Sequence, residues 1–170
     1  NRDSITKLIK TVSAKDISFR TLYRGYSLLV TMPCWNEEGK VGPSVRSVPR
    51  DLVDCICVVD NGSIDNTANE AEESGALVIS HTVNLGAGGG IRTGLEYGRT
   101  NNYDLLAVLA GDNQDDPNDL YRAVDKIIDD NLDYIQGSRW LSEGKRENMT
   151  LSRTILTLVY LSLIHISEPT

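Results

Sequence analysis

Short apolar segments alternate with amphipathic or glycine-rich segments between residues 27 and 136. Short apolar runs predict buried strands, and apolar residues spaced three or four apart predict helices. We therefore predict five strands, at residues 27–32, 54–59, 76–80, 104–109 and 133–136. Between them we predict four helices, at residues 37–48, 65–74, 86–99 and 118–130. Strands alternating with helices indicate βαβ units, a mostly parallel sheet and an α/β fold.

The segments that follow the predicted strands are rich in carboxylates and amides. They read PCWNEE after residue 32, DNGSIDNT after residue 59, AGDNQDDP after residue 109 and GSRW after residue 136. In parallel sheets, ligands bind beyond the carboxyl ends of the strands. We therefore expect the functional site to be built from these four segments.

Four side chains in these segments are the first candidates. Asp60 ends a buried apolar strand, so we expect it to contact a ligand, whereas Asp65 is expected to cap the following helix. Asp112 and Gln114 offer oxygen ligands suited to a hard cation such as Mg²⁺ or Mn²⁺. The acidic residues just beyond them, at the predicted helix start, are also explained by the helix dipole.

Two further features leave alternatives open. Arg139 either clamps a phosphate with its guanidinium fork or pairs with the acidic loop. The glycines of residues 86–90 either allow close approach of a ligand or allow tight helix–sheet packing. Their spacing matches neither the dinucleotide-binding fingerprint nor a P-loop.

Composition narrows the class of protein. The chain has 170 residues, 40% of them hydrophobic, which fits one globular domain. A net charge of −7 at pH 7 argues against a nucleic-acid partner. No run of ~20 apolar residues is present, so no complete transmembrane helix is expected. The cysteines lack metal-ligand spacing and are interpreted as buried residues of a reducing compartment; they are Cys34, Cys55 and Cys57.

The two ends of the chain differ from its centre. Residues 1–26 form a basic arm with helical spacing, which either touches an anionic membrane surface or packs on the domain as a solvated helix. Residues 161–170, LSLIHISEPT, resemble a translated sequencing adapter. We therefore expect the functional domain to comprise residues 27–160, incomplete at its end, and we assign no function to the last ten residues.

Five segments, in order, resemble the family 2 glycosyltransferases of the GT-A fold. They are VTMPCWNEE, CVVDNGSIDNT, VNLGAGGGIRTGL, AVLAGDNQDDPNDL and IQGSRW, and together they span residues 27–140. The QDDP sequence at residues 114–117 is similar to that of the polyprenyl-phosphate sugar synthases. A sugar-nucleotide pyrophosphorylase would instead carry a glycine-rich loop with Arg and Lys after the first strand.

The resemblance implies a three-layer α/β sandwich and an inverting, metal-dependent hexosyltransferase. Its donor would be a UDP- or GDP-linked sugar, its acceptor a polyprenyl phosphate and its cofactor Mg²⁺ or Mn²⁺. It would work in the cytoplasm, at the inner face of the membrane. A second hypothesis is a catalytically impaired module that only binds a nucleotide sugar.

The resemblance also assigns roles to individual residues. Asp112 and Arg139 would be catalytic, and Asp112 with Gln114 would hold the metal. The nucleotide sugar would contact Pro33, Trp35, Glu37, Val58, Asp60, Gly111, Asp112 and Arg139. The chain departs from the family at Ala110, which stands where the metal motif has its first aspartate, and this departure is what raises the second hypothesis.

Overall fold

A computed structural model describes residues 22–113 and 116–137. Its elements, in chain order, are β1 (Leu28–Cys34), α1 (Val41–Ser47), β2 (Cys55–Asp60), α2 (Thr67–Glu73), β3 (Leu77–Ser80), α3 (Gly86–Thr100), β4 (Leu105–Val108) and α4 (Asp119–Asp129). The chain divides into two compact units, residues 1–125 and residues 126–170. The sheet lies in the first unit; the described part of the second contains the end of α4 and the residues up to 137.

The four strands form one parallel sheet in the order β3-β2-β1-β4, which confirms the predicted α/β class. β1 lies in the middle and is almost completely buried. It extends through Pro33 to Cys34, two residues beyond its predicted end at Met32. The backbone nitrogen of Pro33 faces the side of β4, whose last paired residue is Val108, opposite Thr31. The missing N–H therefore costs no hydrogen bond of the sheet.

Helices cover both faces of the sheet, as expected for a three-layer sandwich. On one face α3 packs directly on β1, where a Cβ at Gly94 would overlap the Thr31 side chain. A core cluster fills this face, formed by Leu29, Cys57, Val59, Ile79 and Tyr97. On the opposite face, Met32 lines a small crevice together with Ser44 and Ser47 of α1. Successive β1 residues thus pack against different helices, as strand alternation requires.

The first helix and the last predicted strand differ from expectation. α1 begins at Val41 and not at residue 37. Gly39 adopts φ +79°, and residues 38–40 form a turn directly before the helix. Pro43 falls in the first turn of α1, where a missing N–H is tolerated. The predicted fifth strand at 133–136 is wrong: these residues form no strand, and all but the half-buried Ile135 are exposed. Two apolar residues in a row were too weak a signal without a neighbouring strand to pair with.

The described residues also bear on membrane-spanning helices and on the state of the cysteines. None of their helices is long and apolar enough to cross a membrane. All three cysteines are free thiols, with Cys34 and Cys57 buried and Cys55 half-buried. The buried positions fit the interpretation of these residues as small members of the core.

Replacing Gly94 by alanine should destabilise the domain, because the new methyl group would overlap Thr31. Overpacking of this kind typically costs about 1–3 kcal/mol. The matched control is Gly88→Ala in the same helix, where a Cβ meets no heavy atom within 4 Å. Alanine there should be neutral or stabilising by about 0.5–1 kcal/mol. Urea unfolding of both variants measures the difference, and equal stability would contradict the close packing of α3 on β1.

Candidate functional site

Three carboxylates gather around the carboxyl end of β1. Cys34, the last residue of that strand, is 2% exposed. Burial, and to a lesser extent the negative charges of Glu37, Asp60 and Asp112, together raise the pKa of its thiol to about 12. Glu37 and Asp112 lie in the loops after β1 and β4, and Asp60 is the last residue of β2, so the sheet brings together three of the residues that the sequence predicted for the site. The thiol itself is protonated and unreactive at neutral pH.

Hydrogen bonds tie the loop after β1 to the loop after β2. The Asn36 N–H donates to Ser63 Oγ at 3.0 Å, and the Ile64 N–H donates back to Asn36 Oδ1 at 3.0 Å. One residue on, the Glu37 N–H donates to Thr67 Oγ1 at 2.8 Å. Asn36 adopts φ +54°, a conformation that asparagine tolerates better than most residues. The position of Glu37 is therefore set by contacts with the neighbouring loop.

Two further carboxylates act as caps in the same pair of loops. Asp65 Oδ1 accepts the first backbone N–H of α2 at 3.1 Å, which confirms its predicted capping role. Its other oxygen accepts the Glu38 N–H at 3.1 Å. Glu70, on α2, accepts the N–H groups of Gly39 at 2.6 Å and Gly42 at 3.2 Å, at the start of α1. These acids serve to join the loops and are not candidates for ligand contact.

Asp60 is the last residue of β2 and lies beside Cys34 in the sheet register. It is only 6% exposed. Its Oδ1 accepts the Ser63 N–H at 3.0 Å, which closes the turn that follows the strand. Within that turn Gly62 adopts φ +76° and lies against the backbone of Val83, where a Cβ would come within 2.8 Å. The turn thus holds the Asp60 carboxylate in one orientation at the edge of the sheet.

Asn61 is a structural residue of the site that the sequence analysis did not single out. Its side chain is 4% exposed and joins the end of β2 to the start of α3. Its Nδ2 donates to Asn84 Oδ1 at 3.0 Å and to the Gly86 carbonyl at 2.9 Å, while its Oδ1 accepts the Leu85 N–H at 3.0 Å. The sequence signal that could have identified Asn61 is its position directly after Asp60, the acid that ends a buried strand.

His81 completes this network. Its Nδ1 lies 2.8 Å from Asn61 Oδ1, and its Nε2 lies 2.9 Å from Thr93 Oγ1 on α3. Since Asn61 Oδ1 already accepts a backbone N–H, we assign the proton to Nδ1 of His81. Burial lowers the pKa of His81, against the opposing effect of the Asp60 charge. The neutral ring therefore links β3 to the first turns of α3.

The loop after β4 meets the end of β1 at Gly111. A Cβ at Gly111 would overlap the sulfur of Cys34, so the contact requires glycine. The Ser44 hydroxyl of α1 lies 3.2 Å from the Gly111 carbonyl and 3.0 Å from the Lys40 carbonyl. Asp112 follows Gly111 and is half-buried. The start of α1 and the predicted metal loop are therefore held side by side.

The remaining predicted residues have different surroundings. Trp35 is 55% exposed beside the cluster of acids. Pro33 is half-buried against α3, where a Cβ at Gly90 would come within 2.9 Å of it. Val58 is fully buried inside β2, so its side chain packs in the core and not at the edge.

Tight packing, one of the two purposes considered for the glycine cluster, is present in the structure at Gly90. Gly90 allows the close packing of α3 on Pro33, as Gly94 does further along the helix. A Cβ at Gly86 or Gly88 would meet no atom within 4 Å, so the start of α3 is open.

Two predicted site residues, Gln114 and Arg139, lie outside the described residues. In residues 22–113 and 116–137, no group of three or more His, Cys, Asp or Glu side chains is placed to hold a metal ion. The acids around Cys34 therefore do not form a metal centre by themselves.

Comparison with known families gives one match that covers most of the chain. The model of the family described as "Glycosyl transferase family 2" matches residues 29–168. This range includes the described sheet except Leu28, the first residue of β1, and it includes all three acids.

Curated relatives and a solved structure agree with that match. The chain is 28% identical to the UDP-N-acetylglucosamine–dolichyl-phosphate N-acetylglucosaminyltransferase of Methanococcus voltae, over 75% of this chain and 58% of the relative. It is 28% identical to the undecaprenyl-phosphate mannosyltransferase of Micrococcus luteus, over 76% of this chain and 55% of the relative. The chain thus spans little more than half the length of these relatives. The crystal structure of mannosyl-3-phosphoglycerate synthase from Rubrobacter xylanophilus superposes with a TM-score of 0.53 at 25% identity, over 61% of this chain and 36% of that one.

The partly buried ring of His81 predicts a pH dependence of stability. Its pKa in the folded protein is lowered from the ordinary value of 6.5, so below that pH the unfolded chain takes up a proton first. As the pH is lowered below 6.5, the free energy of unfolding should decrease until His81 is protonated in the folded state as well. His81→Gln should reduce the difference in stability between about pH 7.5 and about pH 5.5.

Urea unfolding of the parent and of His81→Gln at the two pH values measures this contribution. His165 and the carboxylates are common to both proteins, so their contributions cancel in the comparison. An identical loss of stability in both would show that His81 titrates alike in the folded and unfolded chains.

Proposed function

The chain belongs to glycosyl transferase family 2, and on that premise we propose that it transfers a sugar from a nucleoside diphosphate to a polyprenyl phosphate. The donor would be a UDP- or GDP-linked sugar. The lipid acceptor is supported by the names of two relatives, a dolichyl-phosphate and an undecaprenyl-phosphate sugar transferase. Such an acceptor would bring the protein to a membrane surface, and we propose the inner, cytoplasmic face.

One observation supports this function above others, namely that three carboxylates lie around the carboxyl end of β1. Asp60 is paired with Cys34 in the sheet, Gly111 packs the segment before Asp112 onto Cys34, and Glu37 follows β1 in the chain. This is the edge of a parallel sheet where ligands bind. A carboxylate accepts hydrogen bonds from ribose hydroxyls and from N–H groups of a base. We propose that Asp60 and Glu37 bind the nucleoside in this way, with Trp35 stacking on the ligand beside them. Gly111, which packs on Cys34, would hold the loop after β4 beside the ligand.

The proposed chemistry is a single displacement with inversion. An oxygen of the acceptor phosphate forms a bond to the anomeric carbon while the bond from that carbon to the donor diphosphate breaks, releasing the nucleoside diphosphate. The acceptor phosphate is already an anion near neutral pH, so it needs less help from a base than a sugar hydroxyl would. Arg139 would contact a phosphate of the donor or acceptor through its guanidinium fork.

We also propose that Mg²⁺ or Mn²⁺ assists, bound by Asp112 and Gln114. The described residues fit a cation that takes few of its ligands from the protein, because the Ala110 side chain has no oxygen and no cluster of three ligand side chains is present among them. A hard cation bound through one or two protein oxygens takes the rest from water and ligand phosphates. When bound, it would neutralise the negative charge that develops on the leaving diphosphate.

Asp60→Asn should weaken the binding of UDP or GDP without unfolding the chain. Asparagine retains the Oδ1 that accepts the Ser63 N–H, so the turn should persist while one acceptor oxygen is lost. The loss should be about 1–3 kcal/mol, or roughly 5–150-fold in affinity. Calorimetry measures it, and Glu73→Gln, at the far end of α2, controls for the change in charge.

The same samples test the reaction. The parent should transfer labelled sugar from a UDP- or GDP-sugar to a polyprenyl phosphate, and Asp60→Asn should do so more slowly. Unchanged affinity for both nucleotides in Asp60→Asn would reject its role, and a parent that binds neither would reject the proposed function.

Asp112→Asn should abolish the effect of Mn²⁺ on nucleotide binding, since Asp112 is the carboxylate that remains in the metal motif. For the parent, Mn²⁺ alone should bind weakly and should bind much better together with a nucleoside diphosphate. Ala110→Asp should strengthen the binding of Mn²⁺ alone, because a second anionic oxygen suits a hard cation. Titration of Mn²⁺ with and without nucleotide compares the three proteins. If Mn²⁺ still increased the nucleotide affinity of Asp112→Asn as much as that of the parent, Asp112 would not be a metal ligand. The acidic loop would then serve only to cap the following helix.

A further inference from the structure

We propose that the ammonium group of Lys40 binds the diphosphate of the nucleotide ligand. With Ala110 in place of an aspartate, the metal motif would bind its cation more weakly. Lys40 would supply part of the positive charge that the diphosphate needs. This inference rests on the proposed function, because it assumes that a nucleoside diphosphate occupies the edge of the sheet beside Asp60 and Asp112. It assigns a ligand contact to a residue outside the set that the sequence motifs implied.

The backbone places Lys40 beside the loop after β4. Lys40 directly precedes α1, as its N-cap residue. The hydroxyl of Ser44 lies within hydrogen-bonding distance of both the Lys40 carbonyl, at 3.0 Å, and the Gly111 carbonyl, at 3.2 Å. Asp112 follows Gly111. The two backbone segments that carry Lys40 and Asp112 are therefore in contact, at the end of the sheet where the acids meet.

The side chain of Lys40 reaches toward these acids. Its Nζ donates to Glu37 Oε2 at 2.8 Å. That hydrogen bond and the charge of Glu37 raise the pKa of Lys40, and the charge of Asp112 raises it as well. The amine is therefore a cation at neutral pH, paired with Glu37 and within the electrostatic influence of Asp112. An ammonium has three donors, of which Glu37 uses one.

Exposure favours a ligand contact over a purely structural pair. The Lys40 side chain is 57% exposed, against 23% for Glu37. Exposed ion pairs contribute little to folding stability, so the pair with Glu37 does not by itself explain a cation at this position. A diphosphate that enters near Glu37, Asp60 and Asp112 is repelled by three carboxylates, and a nearby ammonium offsets this repulsion. A flexible, compact charge suits a phosphate group.

The test compares nucleotide and nucleoside binding to the complete 170-residue chain. Calorimetry with UDP and GDP, in EDTA and again with Mn²⁺, is performed on the parent, Lys40→Met and Lys40→Arg. Lys40→Met should lose about tenfold or more in affinity, with the larger loss in EDTA, since a charged hydrogen bond is removed. Lys40→Arg should retain most of the affinity. Uridine and guanosine, measured by competition, should bind equally to all three proteins, because they carry no phosphate.

The matched control is Arg99→Met. Arg99 forms an exposed pair with Glu96, also three residues apart, at 2.6 Å. It lies in the last turn of α3, which leads into the opposite edge of the sheet. Its removal changes the net charge as Lys40→Met does and should leave nucleotide affinity unchanged.

Each adverse outcome has a separate meaning. Unchanged affinity of Lys40→Met for a nucleotide that the parent binds would overturn the role of Lys40 and leave the proposed function standing. If Lys40→Met lost equal affinity for nucleoside and nucleotide, the role of Lys40 would also be overturned. Lys40 would then act by positioning Glu37 and not by contacting the diphosphate. A parent that binds neither UDP nor GDP would reject the proposed function itself.

Discussion

The parallel pairing of β1 with both of its neighbours is the constraint on which the candidate site depends. β1 pairs with β2 on one side and with β4 on the other, in the same direction. All three strands therefore release their loops at one edge of the sheet. Asp60 and Asp112 are far from Cys34 in sequence, and this pairing brings them to the end of β1, which Glu37 follows closely in the chain. A one-residue slip in either pairing would turn β1 side chains toward the wrong helix.

Close approach of backbone segments makes this arrangement compact enough to act as a site. Gly111 admits the sulfur of Cys34, Gly62 admits the backbone of Val83, and Gly94 brings α3 onto Thr31. Each glycine lies where a methyl group would meet atoms of a different element. These three glycines therefore have a packing origin, whereas a Cβ at Gly86 or Gly88, at the start of α3, would meet no atom within 4 Å.

The polar residues around the edge divide into two kinds. Asp65 and Glu70 use their oxygens to accept backbone N–H groups, and Asn61 satisfies four partners at once. These side chains hold the loops in place. Asp60 uses one oxygen in the same way but stands at the edge where the acids converge, together with Glu37 and Lys40. This division separates residues that build the site from those proposed to contact a ligand.

The sequence by itself determined the α/β class, all four described strands, the four helices and the edge on which Asp60 and Asp112 lie. It did so because buried strands and amphipathic helices have different periods, and because parallel strands place their ends together. Only the tertiary structure decided that β1 continues through Pro33, that residues 133–136 form no strand, and that Val58 is buried in the core. The same holds for the Asn61–His81 network and for the Ser44 hydroxyl that bridges the carbonyls of Lys40 and Gly111. Those features depend on contacts between segments distant along the chain, and a local pattern of residue types carries no information about such contacts.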